Sequence, residues 1–338
     1  VTTRVTSLRA LFDGNQTFNQ DISSWDTSNV TTTHKMFSKA TIFNQDISNW
    51  DVSGVTDFTL MFWDTHNFNS NIGDWDVSSG ITFVEMFGGS QQFNQDIGGW
   101  NVSNATNLGG MFSNTSTFNQ DISSWDVSNV TVMGNMFHAS VFNQPIGNWD
   151  VSNVVDMSKM FWAANAFNQD ISNWDVSNVT SMNGMFDKAR SFDQNLNNWD
   201  VSNVVDMSAM FAYSGMNQPL DDWDVSSVVN MDCMFCYNTS FNQDLTSWCV
   251  TNISSPAKSF NLSSSLLDEN LPIWGQCGEI ELGTNGVTII ANDNAVVGES
   301  YRLSNDGDSY KVVDESMLRE MVANDEDVTK VVTTRVTN

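Results

Sequence analysis

Eight aspartates recur in step along the chain: Asp26, Asp51, Asp76, Asp126, Asp150, Asp175, Asp200 and Asp224. The interval is 25 residues, twice cut to 24; Asn101 breaks the series and Cys249 ends it. Carboxylates repeated at one interval are the raw material of a cation site, because Ca²⁺ gathers several oxygen ligands. Stacked about 5 Å apart, such charges repel one another by roughly 0.8 kcal/mol even at the dielectric of water. Physiological salt screens only beyond ~8 Å. Two arrangements offset that repulsion and both stay open: hydrogen bonds to the Ser and Asn of the following Asp-Val-Ser-Asn turn, or calcium bridging between neighbours.

Other reactive residues point away from catalysis. Cys233-Met-Phe-Cys236 has the spacing of a redox or zinc half-site, but a zinc site needs a second close pair of Cys or His. Cys249 and Cys277 are too far apart in sequence to form one, so disulfides of an extracellular protein are expected instead. His34, His66 and His138 fall at three different phases of the interval and do not stack into a cluster. Glycan cleavage by paired carboxylates needs two acids in unlike surroundings, whereas these acids are periodic and equivalent. No enzymatic activity and no required cofactor are expected.

Charge narrows the partners. Forty acidic residues against 13 basic ones leave a net charge of −27, which argues against nucleic acid and anionic membrane surfaces. No apolar run approaches the length of a membrane span, so direct membrane insertion of this segment is not expected.

The elements that must carry these residues follow from the repeat. Trp25, Trp50, Trp75, Trp100, Trp125, Trp149, Trp174, Trp199, Trp223 and Trp248 keep the same interval as the aspartates. One copy reads "FNQDISSWDVSNVTVMGNMF", Phe118 to Phe137. Its apolar slots are Phe118, Ile122, Trp125, Val127, Val130, Met133, Met136 and Phe137. Alternation at Trp125-Asp126-Val127 predicts a short strand with Trp and Val inward and Asp outward. The spacing from Met133 to Phe137 predicts one turn of helix or 3₁₀ on the other side of the coil. A unit of 25 residues cannot bury its own apolar face, but stacked on its neighbours it can. The expected fold is therefore a repeat solenoid, leucine-rich-repeat-like, with a short parallel strand plus a short helix or 3₁₀ turn per coil. Ten coils at ~4.8 Å make a rod of roughly 50 Å. In such coils the ladder tryptophans are core. Trp63 and Trp162 stand off the ladder and are candidate exposed aromatics for ligand contact, beside the candidate strand-face ladder of aspartates. The Asn-Gln after each Phe predicts amide stacks along the rod.

The expected domains follow. Residues 1–17 are a degenerate first coil and 18–248 a ten-coil solenoid. Residues 249–278 are a cap that a Cys249–Cys277 bridge would pin, with Cys233 and Cys236 paired together or free. Residues 279–338 are a small β-rich connector, with "DESMLREMVAND" as a helix. The opening "VTTRVT" returns as Val332 to Thr337, 331 positions later. That echo predicts one unit of a longer tandem array, its neighbours being further units of the same chain.

The repeat "FNQDISSWDVSNVTxMxxMF", the segment "WCVTNI…PIWGQC" and the leader "YKVVDESMLREMVANDEDVTKVVTTRVT" resemble the BspA-like leucine-rich-repeat surface proteins. The resemblance implies an exported, extracellular protein of the cell surface, with adhesion to surfaces, cells or matrix as its role and no catalytic residues. By multivalency, many weak equivalent contacts on a rod sum to strong attachment. The alternative is a module that binds a single protein partner.

Overall fold

The computed structural model describes residues 4–276 in full and, beyond them, the backbone of five short strands. In the first region each repeat is one coil laid on the one before it. Parallel bridges, one per repeat, join Ser7, Thr32, Asp57, Thr82, Asn107, Val132, Asp156, Ser181, Asp206 and Asn230 in an unbroken series.

A coil is built from tight turns. The N–H of Trp125 donates to the carbonyl of Ile122 at 3.1 Å, that of Val130 to Val127 at 2.9 Å, and that of Met136 to Met133 at 3.1 Å. Each pair of apolar residues three apart thus closes a turn and points inward; Ser123-Ser124 and Ser128-Asn129 lie on the outside of the first two turns, while Gly134 in the third is buried. The expected strand at Trp125-Asp126-Val127 is absent: turns on both sides leave too little chain, and the parallel bridge falls at Val132 instead. The expected helix or 3₁₀ turn at Met133–Phe137 is also absent. Spacing by three suits linked turns as well as a helix, and here Asn135 (φ 60°) and Ala139 (φ 51°) are left-handed, which no right-handed helix accommodates.

Those left-handed positions align the backbone for stacking. Two occur in each coil, four residues apart, as at Lys35 and Lys39, or Lys159 and Ala163. They turn alternate N–H groups toward the next coil. Met133, Asn135, Phe137 and Ala139 donate to the carbonyls of Asp156, Ser158, Met160 and Trp162 at 3.0, 2.9, 2.9 and 2.6 Å. The same four rungs join Leu8, Ala10, Phe12 and Gly14 to the coil after them, so the degenerate first repeat is a stacked coil too. At the other end Cys233, Phe235 and Tyr237 donate to Lys258, Phe260 and Leu262. The ladder therefore runs past residue 248 into the expected cap, where one 3₁₀ turn spans Asp268–Asn270.

Aromatic columns fill the interior. Phe37, Phe62, Phe87, Phe112 and Phe137 stack at 5.6–5.9 Å between centroids, within 10° of parallel. The column ends where Phe260 meets Phe235 and Trp274 edge-on, at 79° and 85°. From Trp50 onward the ladder tryptophans are buried, and Trp25 is partly buried against the same core. The asparagine column does not stack amide on amide alone. Asn94 Oδ1 accepts the backbone N–H of Asn119 at 3.0 Å, and Gln120 Nε2 reaches the Asn94 carbonyl at 3.0 Å.

The five strands are β1 (Ile280–Leu282), β2 (Ile289–Ala291), β3 (Ser300–Arg302), β4 (Ser309–Val313) and β5 (Val331–Thr333). β1 pairs antiparallel with β2, β3 antiparallel with β4, and β4 parallel with β5. The helix expected over 314–325 lies outside the described residues.

Candidate functional site

Each aspartate of the ladder closes its own turn. Asp126 Oδ1 accepts the backbone N–H of Ser128 at 3.1 Å and its hydroxyl at 2.6 Å. Asp26, Asp51, Asp150, Asp175 and Asp200 hold Ser28, Ser53, Ser152, Ser177 and Ser202 in the same two-bond way. Asp76 and Asp224 take the backbone bond of Ser78 and Ser226. Asn101 does the same for Ser103 at 3.1 Å, so it leaves the turn series intact. Two bonds to Ser favour the charged form and hold the carboxyls of Asp26, Asp76, Asp126 and Asp150 below the usual carboxylate range. Asp21, Asp46, Asp121 and Asp170 show the same lowering from Ser23, Ser48, Ser123 and Ser172. Among the described residues no group of three or more His, Cys, Asp or Glu gathers to hold a metal ion.

Cys233 is bonded to Cys236. Cys249 is also in a disulfide; its expected partner, Cys277, lies outside the described residues.

The two off-ladder tryptophans occupy equivalent slots. The carbonyls of Trp63 and Trp162 accept the last rung of the turn ladder, from Lys39 and Ala139. Both rings are half-buried rather than exposed, and their surroundings differ. Trp162 is enclosed. His138 of the preceding coil stacks on it at 4.4 Å and 10°, and Lys188 of the following coil sits 4.3 Å from its ring centre. Its indole N–H donates to Asp187 Oδ2 at 2.7 Å. Burial pushes the Asp187 carboxyl up and the His138 imidazole down.

Trp63 has Lys39 of the preceding coil 5.0 Å from its ring centre. Toward the following coils its indole walls a hollow of about 350 Å³. Glycines open that hollow. A Cβ at Gly88 would meet Trp63 Cδ1 at 2.9 Å, and one at Gly89 would meet Asp64 Oδ1 at 3.1 Å. Polar walls come from three successive coils: Asp64, then Glu85 and Gln91, then Ser113 and Asn114. Asp64 is oriented by His66, Nε2 to Oδ1, at 2.8 Å. Asp64, Gly89 and Asn114 share one slot of the repeat and Trp63, Gly88 and Ser113 the one before it, but residue type changes along each column, so the lining was not legible as a group. The signal that marked the place was Gly88-Gly89, which interrupts the usual Phe-to-Phe phrasing.

No transmembrane helix accompanies these features: among the described residues no helix is long and apolar enough to cross a membrane. No curated protein and no solved structure matches the chain. One family model matches five times in overlapping register, over residues 1–97, 47–146, 72–173, 120–215 and 212–276. Overlap at multiples near the coil interval is what a tandem repeat produces. A single repeating unit thus accounts for nearly all of the fully described region, and the chain belongs to the family described as "Mycoplasma protein of unknown function, DUF285".

Proposed function

We propose that the chain is a structural and adhesive segment of an exported cell-surface protein. In this reading it is a leucine-rich-repeat-like solenoid of the BspA-like kind and one 331-residue unit of a longer tandem filament. It holds surfaces, cells or matrix through many weak contacts, needs no cofactor and performs no reaction. The observation that carries this is the unbroken register of the coils. Backbone bridges fix each coil on the last from Ser7 to Asn230, so side chains in one slot recur at a constant rise on a stiff support. Equivalent contacts so spaced raise avidity by ~10²–10⁴ without any new kind of contact.

The test compares labelled single 338-residue chains in solution with two such chains joined in tandem, each bound to cells or matrix at low surface density. Detachment from cells or matrix under flow should be at least tenfold slower for the joined chains. Equal detachment rates would remove multivalency as the mechanism. A second reading, a module for one protein partner, draws on the hollow beside Trp63, which has no copy at Trp162.

A further inference from the structure

We propose that the hollow beside Trp63 is a subsite for one neutral pyranose ring. This deepens the adhesive reading by naming the ligand class of one contact. The lining joins an indole wall to five polar side chains, two carboxylates, two amides and a hydroxyl. A pyranose has the matching duality: an apolar face of C–H groups that packs on an aromatic plane, and equatorial hydroxyls that both donate and accept.

Each polar neighbour has a use in that arrangement. Asp64 and Glu85 accept from sugar hydroxyls; Gln91 and Asn114 offer both an acceptor and donors. His66 holds Asp64 by one oxygen at 2.8 Å, which fixes that carboxylate before a ligand arrives and reduces the ordering cost of binding. Two carboxylates on a chain of net charge −27 repel uronic, sialic and sulfated sugars, so the ligand is neutral. A bare cation fits the lining less well. Lys39 already supplies a cation at 5.0 Å from the indole, among the described residues no three His, Cys, Asp or Glu gather to hold a metal ion, and a cation would leave the amide N–H groups of Gln91 and Asn114 without an acceptor.

The contrast with Trp162 separates this site from the general run of coils. In the same slot, with the same indole, that ring has a His on one side and a Lys on the other. Gly88 and Gly89 stand where the coil after Trp162 carries Asp187 and Lys188. The glycines are what make room.

The experiment uses the full chain produced in a host without N-glycosylation, so that Asn114, which begins an Asn-Thr-Ser triplet, stays unmodified. Methyl glycosides of glucose, galactose, mannose and N-acetylglucosamine are titrated while indole N–H resonances are followed by NMR. The Trp63 resonance is identified as the one missing from Trp63→Phe. We expect one glycoside to shift it with millimolar affinity. Trp63→Ala should weaken binding at least tenfold, measured by calorimetry, and Trp63→Phe should retain part of it. If Trp63→Ala lowers the melting temperature, Asn114→Ala on the rim supplies the second variant, with a loss of threefold or more. No binding up to 50 mM by any glycoside, binding that all three variants leave unchanged, or a response to tetramethylammonium in place of sugars would each overturn the proposal. Cell attachment that persists without sugar binding would sink the subsite and leave the adhesive reading standing. Sugar binding without attachment would do the reverse.

Discussion

The indole N–H of Trp125 donates to the carbonyl of Ile97, one coil back, at 3.1 Å. The same bond joins Trp50 to Ile22, Trp75 to Ile47 and Trp174 to Ile146 at 3.0–3.2 Å. A buried indole N–H needs a partner, and here it shares the Ile97 carbonyl with the backbone N–H of Trp100, which closes that coil's own turn at 3.1 Å. Trp125→Phe keeps an aromatic in the column but removes this coil-to-coil bond, leaving the Ile97 oxygen only its Trp100 partner, and opens a small void. The expected loss is about 2 kcal/mol, read from urea titration of the full chain. A loss below 0.5 kcal/mol would show that the bond is dispensable.

Acid should loosen the coils. Asp26, Asp76, Asp126 and Asp150 have folded-state pKa values below the ordinary 3.8 because Ser bonds favour the anion. Stability from such groups is fully present above the unfolded value and is lost as pH falls through the folded one. The melting temperature should therefore hold from pH 7 to about 5 and fall below pH 4. Asp126→Asn should keep the turn, as Asn101 does for Ser103, and reduce the acid slope. An equal slope in that variant would mean that other groups drive the transition.

How far the sequence could be read depended on which physical signal each feature left. Trp125, Val127 and Val130 declared themselves as core because burial is written in residue type at a fixed interval. The local backbone did not. Linked turns and a helical turn both put apolar residues three apart, as at Met133 and Met136. The feature that separates them is a left-handed residue, and at Lys35, Leu60, Glu85 and Lys159 this conformation is held by residues that do not advertise it. The parallel bridge was equally hidden, since its slot accepts Thr32, Asp57, Asn107, Val132 and Ser181 alike. Trp63 and Trp162 were visible as departures from the ladder. Only coordinates show that His138 and Lys188 close one and that Gly88 leaves the other open.

Asp187 tests the closed aromatic slot. Its Oδ2 accepts from Trp162 and its Oδ1 is buried without a partner, so burial raises its pKa. A group with a raised folded pKa contributes stability below its unfolded value and loses it as pH rises through the folded one. Asp187→Asn keeps an acceptor for the indole and carries no charge. The variant should melt higher than the parent at pH 7, with the difference vanishing below pH 4. A variant that melts lower at pH 7 would show that the carboxylate is favoured by Lys159 and Lys188 more than burial opposes it.

Chelation bears on the aspartate ladder directly. One oxygen of each ladder aspartate is committed to its own turn, and no larger ligand group gathers among the described residues. Dialysis against a calcium chelator should leave the melting temperature unchanged within a degree. A fall of several degrees, restored by Ca²⁺, would establish ion bridging between coils.

The left-handed slots carry a strain that one substitution can relieve. Ala209 has φ 55°, and its N–H gives the rung to Asp232 at 2.9 Å. A non-glycine residue in that region costs roughly 1–2 kcal/mol. The same slot holds Gly110 and Gly184 in other coils, at φ 64° and 57°. Ala209→Gly removes the steric cost and gives back about 0.4–1 kcal/mol through the freer unfolded chain. The net expectation is stabilisation by about 0.5–1 kcal/mol, which urea titration resolves. Gly184→Ala runs the same change backwards, with its new Cβ 3.3 Å from Lys159 Cγ, and should destabilise by a similar amount. If Ala209→Gly instead behaves as glycine does in an ordinary extended or helical segment and destabilises, the turn is not left-handed, and the alternating ladder that stacks one coil on the next loses its basis.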